Sequence, residues 1–441
     1  MSDLNLLSVS SLSEGLRKGQ FSSVEVVRAY LDAIHARGER GGAYLAVTAD
    51  KAMAKAREMD SKRASGEPLH ALAGVPMALS DNICVKGIAT TCGSQILEGF
   101  IPPYDAHVVE KLDACGAVLL GKLRMSEFGM GPDHDDGAAA VAAREAAFAL
   151  ASDTGGGIRA SAARFGVAGV RPTYGAVSRY GLAAFASSLD PIGVYARDVR
   201  DAAMALEAIM GHDRRDATSD TRAAACLLQD LDEGARGMTI ALPKEYLYGE
   251  LSDGTREGVL TAAKQFESMG AFIKEISLTP PEEALRAYYI ISSAEASSNL
   301  ARYDGVKYGS RSGREESVDA VIEASRGWGF GAEVKRRIML GAFALCSENY
   351  SDYYERALSV RQRIREGFER AFQDCDVILA PVSPRGAGEN NRTMDISMDE
   401  IYTAPASMAG LPALSMGIQL IGPAHGEAVI LRAAQCVLEG R

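Results

Sequence analysis

Residues 152–160 read SDTGGGIRA, and Thr154, Gly155, Gly156 and Gly157 place several consecutive backbone N–H groups where they can face one cavity. Glycines carry no β-carbon, so a ligand oxygen can approach such a turn closely, and a helix that follows adds its own unpaired N–H groups. The chemistry on offer is a cradle for an anion or for the oxyanion of acyl transfer, which needs no side chain at all. A triple glycine by itself is read first as a tight turn at a strand end. Hydrolysing an amide further requires a nucleophile at the turn and a base within hydrogen-bond reach of it. The flanking serines do not meet that requirement: Ser152 reads as a turn residue, and Ser161 falls one helical turn in, where its hydroxyl can bond back to the backbone. Lys122 in GKLRM reads as a supporting or surface residue, and Lys86 as a loop residue. The six histidines, His35, His70, His107, His134, His212 and His425, are scattered and suggest no Ser/His/Asp arrangement.

Other chemistries are less well served. DHDD at 133–136 contains competent metal ligands, but adjacent residues rarely converge on one ion, so it reads as a solvated acidic loop and no metal is expected. Seven cysteines (Cys84, Cys92, Cys115, Cys226, Cys346, Cys375, Cys436) lie far apart without zinc spacing and read as reduced thiols. A chain of 441 residues buries enough surface to fold without a metal or disulfides, so stability calls for no cofactor. The formal charge of -11 argues against a general basic face for nucleic acid, so no direct nucleic-acid contact is expected. The amino-terminal segment has no cationic stretch followed by an apolar run, and no segment approaches bilayer-spanning length, which makes a cytoplasmic protein without membrane contact the default.

The elements that must position the turn follow from periodicity. In SSLSEGLRKGQFSSVEVVRAYLDAIHARGER apolar residues recur every three or four positions, with SS before VEVV as a helix-start signal, so residues 1–65 read as a helical region packed on the core. From 66 onward, short apolar runs such as LAGVPMAL and GAVLLGKL alternate with helical stretches such as DAHVVEKLDACG, the pattern of an α/β sheet covered on both faces. A polar connection near 212 divides this 66–441 domain into core motifs (70–210) and a carboxy-terminal, substrate-side half (212–441). In that half MTIALP and CDVILAPVSP read as strands, PEEALRAYYIISSAEASSNLARY and NYSDYYERALSVRQRIREGFERAF as helices, and GENNRTMDISMDEIYT as a loop or lid.

LAGVPMALSDNICVKGIATTCGS, SDTGGGIR, GVRPTYGAVSRYGLAAFASSLDPIG, YYIISSAEASSNLARYDGVKYGSR, FGAEVKRRIMLGAFALCSENYSDYY and DEIYTAPASMAGLPALS together resemble the amidase signature family, and within it the A subunit of the glutamyl/aspartyl-tRNA amidotransferase. The resemblance runs almost end to end. It implies a twisted, mostly parallel mixed β-sheet between layers of helices. It also implies an amidase chemistry in which a serine nucleophile, a second serine in a cis peptide and a lysine relay the proton. Matching that pattern residue by residue gives a different set here. The lysine of LAGxPxAxKDN falls at Ser80, the nucleophile of DTGGSIR at Gly157, and the cis-peptide serine of GGSSGGS at Asp133, with Gly137 opposite that motif's last serine. A connecting loop upstream is missing, and AGLPALSMGIQLIG is shorter than its family counterpart. A serine hydroxyl holds its proton too tightly at neutral pH to replace a buried lysine as base, and glycine has nothing to attack with.

The resemblance thus implies a pseudoenzyme that keeps the backbone cradle of Thr154, Gly155, Gly156 and Gly157. A working amidotransferase component or amidase with a retuned site is the alternative. It further implies that Arg361 matches an arginine holding the substrate carboxylate and Glu400 an aspartate binding the substrate amino group, although an arginine on an amphipathic helix is otherwise read as solvated surface. Implied partners are the B-type and C-type subunits of the amidotransferase and a glutamine- or glutamate-like small molecule, with no cofactor.

Overall fold

The computed structural model describes residues 3–38, 42–131, 136–222, 226–249, 251–313, 317–385 and 396–438. The amino-terminal periodicity becomes helices Val9–Arg17 and Ser23–Gly38. The second starts on the SS signal as a reciprocal cap: Glu25 N donates to Ser22 Oγ at 3.1 Å, and Ser22 N donates to the Glu25 carboxylate at 2.8 Å. Val9, Leu12, Val26, Val27 and Tyr30 from these helices are fully buried in the main core.

Among the described residues one sheet of 11 strands runs through the molecule. In chain order they are β1 (Tyr44–Val47), β2 (Pro76–Ser80), β3 (Val118–Leu123), β4 (Phe148–Ser152), β5 (Ala168–Arg171), β6 (Ile192–Ala196), β7 (Thr239–Pro243), β8 (Phe272–Ile276), β9 (Val377–Ala380), β10 (Ala413–Ser415) and β11 (Gln419–Ile421). Their lateral order is β1-β3-β2-β4-β6-β5-β10-β11-β9-β7-β8. The expected mixed α/β sheet is therefore present, with parallel wings at β3-β2-β4 and β9-β7-β8 and antiparallel pairing through the centre from β4 to β9. Strand residues alternate between faces. Leu79, Leu150, Val170, Val194, Leu414, Leu379 and Ile240 join one apolar cluster, while Ala78, Ala149 and Tyr195, and then Ala241, Ile378, Ala413 and Ile421, join two others. Both faces are thus covered, as the continuous apolar runs require.

MTIALP and CDVILAPVSP form β7 and β9, and PEEALRAYYIISSAEASSNLARY forms helix Pro281–Leu300, opened by proline at its first turn. Of the GENNRTMDISMDEIYT loop, residues 388–395 lie outside the described residues, and Ile396–Glu400 forms a short 3-10 turn.

Candidate active site at the glycine turn

The turn sits where β4 ends and helix Gly157–Phe165 begins. Ser152 is the last strand residue, a correction to its reading as a turn residue, and its Oγ accepts from Asn82 Nδ2 at 2.8 Å. Gly156 has φ 134°, a conformation that glycine alone adopts without strain. Ser161 lies within the helix, as its spacing indicated.

A fully buried charge cluster holds the turn in place. Asp153 is ion-paired to Arg159 (Oδ1 to Nη2, 2.9 Å) and to Arg171 (Oδ1 to Nη1, 3.2 Å), with all three side chains at 0% exposure. Arg159 also donates to Thr403 O at 2.9 Å, Gln419 Oε1 at 2.5 Å and Ser407 Oγ at 2.7 Å, and so ties the helix start to residues more than 240 positions away. Arg171 donates to Asp153 O and to Leu189 O. Burial pushes the Asp153 carboxyl up, but the two guanidinium groups more than cancel that and hold it below its ordinary value. Thr154 Oγ1 donates to Asp190 Oδ1 at 2.6 Å, and the other Asp190 oxygen accepts from Phe185 N and Ala186 N, each at 3.0 Å.

Opposite the turn stand Thr403, Glu400 and Tyr288. Thr403 Oγ1 donates to Gly155 O at 2.8 Å, and a Cβ on Gly156 would fall on the Thr403 side chain. A Cβ on Gly155 would likewise fall on Glu400 Oε1 and Tyr288 Oη. Gly157 differs: it is exposed, and a Cβ there would meet only Ser152 O, at 3.8 Å. The first two glycines are therefore demanded by packing and the third is not. We expect Gly156→Ala to destabilise by about 1–3 kcal/mol from backbone strain alone, before any clash, and Gly157→Ser to stay within about 1 kcal/mol of the parent. Urea midpoints of both variants check this.

The other family-matched positions are placed as follows. Ser80 ends β2, is 2% exposed, and pairs with Leu123 across the sheet, so it shares the face on which helix Gly157–Phe165 packs. Lys122 pairs with Leu79 and points to the opposite face. It is a buried residue, which removes the surface alternative. Its Nζ donates to Ile83 O at 2.6 Å and Thr90 Oγ1 at 3.1 Å and lies 3.4 Å from Asp81 Oδ1. Burial pushes the Lys122 amine down, against the pull of Asp81. Strand register thus sets Lys122 and Ser80 on opposite faces of the sheet. Asp133 lies outside the described residues, as do the other members of DHDD except Asp136, which opens helix Asp136–Ala142. Gly137 is buried in that helix. Arg361 is half-buried instead of solvated: Nε donates to Met408 O at 2.9 Å, Nη1 to Ser188 Oγ at 2.7 Å and Nη2 to Ser188 O at 2.8 Å. Glu400 Oε1 accepts from Tyr288 Oη at 3.0 Å; burial pushes this carboxyl up, with Arg337 drawing it back.

Arg171, Asp190, Tyr288 and Thr403 were not singled out by sequence reasoning. Charged residues inside or beside apolar runs, as in GVRPTYG and SSLDPIG, were the available signal for the first two; the others gave none. Asp190 makes the site pH-sensitive. Burial raises its carboxyl to about 6 from the usual 3.8, so the folded state holds the proton more tightly than the unfolded chain does. The resulting stabilisation is complete below pH ~4 and lost as pH rises through ~6, a change of about 3 kcal/mol. Stability of the parent minus that of Asp190→Asn, from urea melts at pH 4, 5, 6 and 7, should fall by about 2.4 kcal/mol across the window.

Among the described residues there is no group of three or more His, Cys, Asp or Glu side chains that could hold a metal, and no helix long and apolar enough to cross a membrane.

A family model described as Amidase matches residues 25–136 and 137–429. The A subunit of glutamyl-tRNA(Gln) amidotransferase from Carboxydothermus hydrogenoformans is 44% identical over 468 aligned residues, covering 98% of this chain and 96% of that protein. The Moorella thermoacetica protein of the same name is 45% identical over the same shares. Among solved structures, the Thermotoga maritima protein of that name superposes with a TM-score of 0.78 at 32% identity, covering 99% of this chain and 95% of that one. A chain from a vestigial complex linked to the origins of an s-triazine catabolic enzyme gives 0.83 at 26% identity, covering 98% of each.

Proposed function

The chain belongs to the amidase family, and from that premise we propose that it is a catalytically degenerate relative of the amidotransferase A subunit. It keeps the scaffold to hold or regulate a partner subunit, or to bind a small amide. One observation carries this: Gly157, which falls at the nucleophile position of the DTGGSIR pattern, has room for a side chain and has none. Ser80 supplies no base on the same face, and the buried lysine near it, Lys122, is committed to the other face. The backbone N–H groups at the start of helix Gly157–Phe165 retain the capacity to hold a carbonyl or carboxylate oxygen.

A scaffold role predicts stable association with B-type and C-type amidotransferase subunits from the same cell. It also predicts no covalent acyl adduct after incubation with a reactive amide or ester. Co-purification of the tagged complex followed by intact-mass spectrometry tests both. An adduct on this chain would refute the loss of catalysis, and failure to retain either subunit would refute the scaffold role.

A further inference from the structure

The polar walls of the glycine turn are matched from within the protein. Glu400 Oε1 and Tyr288 Oη, bonded to each other at 3.0 Å, fill the volume beside Gly155 that even a single added carbon would need. Arg361 directs Nε, Nη1 and Nη2 at Met408 and Ser188, which leaves no edge of the guanidinium to grip a ligand carboxylate bidentately. The backbone of Glu400 is held in place. Its carbonyl accepts from Thr403 N at 3.2 Å, and Thr403 Oγ1 is in turn bonded to Gly155 O, so its backbone is fastened to the turn it covers. Glu400 Oε2 is buried without a hydrogen-bond partner, a cost that the fold carries to keep the carboxylate in this position.

We propose that Glu400 is an internal plug: its carboxylate takes up the space beside Gly155, and residue 400 thereby excludes free amino acids and their amides from the glycine turn. The plug rests on the degenerate-homologue reading and narrows it, because a turn whose flank is filled by its own side chain leaves the scaffold to serve a protein partner instead of a small amide. The length of residue 400 sets the exclusion. Truncating it opens a cavity, lined by Tyr288 and the glycine turn, that a free carboxylate of the same shape can enter.

The test is a thermal-shift titration of the full chain, Glu400→Ala and the double variant Glu400→Ala/Tyr288→Phe, with sodium acetate against sodium chloride at equal ionic strength. Acetate should raise the midpoint of Glu400→Ala by about 2 °C or more and leave the parent and the double variant unmoved. An equal response in parent and Glu400→Ala overturns the plug, as does no response in a Glu400→Ala protein whose circular dichroism matches the parent. A second arm needs no variant: glutamine, glutamate, asparagine and aspartate should leave the parent's midpoint unchanged, and a rise with any of them overturns the plug. Ammonia release in the same samples would instead overturn the loss of catalysis, so the two failures are told apart.

Discussion

Replacing Asp153 by alanine is expected to destabilise the chain by about 3–5 kcal/mol, the usual cost of removing one partner from a buried charge cluster. Two guanidinium groups at 0% exposure would then face each other without an anion between them. Arg171 already shows the strain of that position: burial pushes it down to about 10 even with Asp153 alongside. Asp153→Asn should recover only part of the loss, because an amide can accept the Arg159 and Arg171 hydrogen bonds but cannot neutralise their charge. The change is a large fraction of the stability of an ordinary protein, so the alanine variant should be recovered in poor yield. Urea denaturation followed by circular dichroism measures it, and a loss below about 1 kcal/mol would show that the cluster is not what fixes the turn.

The second expectation concerns turnover. Ammonia release from glutamine or asparagine should equal that of buffer, since losing nucleophile and base together costs on the order of 10⁶ in kcat where such residues act as a unit. Gly157→Ser alone should fold normally and still release none. The restored hydroxyl would have space, but Ser80 offers no base on its face and Lys122 lies across the sheet. Turnover in Gly157→Ser would mean that a base exists within reach. Turnover in the parent would sink the pseudoenzyme assignment outright.

What could be read before any coordinates follows from which interactions are local. The helix start at Ser22 and Glu25 was visible because a reciprocal cap involves residues three apart. Strands β2, β3, β7 and β9 were visible as short apolar runs closed by glycine, proline or charge. The helix after the glycines was visible as well. Ser152 was misplaced by one element, because a residue at a strand's last position and a residue in a turn have the same local composition.

The family-matched positions were legible for the same reason, since DTGGGIR and LAGVPMALSDN are contiguous strings that can be compared position by position. They say which side chains are missing. They do not say why Gly155 and Gly156 are glycine while Gly157 need not be. That difference comes from Tyr288, Glu400 and Thr403, which arrive from elements more than 130 residues away.

The periodicities, the class of fold, and the absence of an amine at 80 and a hydroxyl at 157 are local facts, because each is a property of one residue or of neighbours along the chain. Only the packed chain could settle that β10 and β11 lie between β5 and β9, that Lys122 and Ser80 lie on opposite faces of the sheet, that Arg171 shares Asp153, and that Glu400 and Arg361 are engaged by the protein's own atoms. Lateral strand order and the partners of a buried charge are set by long-range packing, which must satisfy every desolvated group at once and leaves no mark on local spacing.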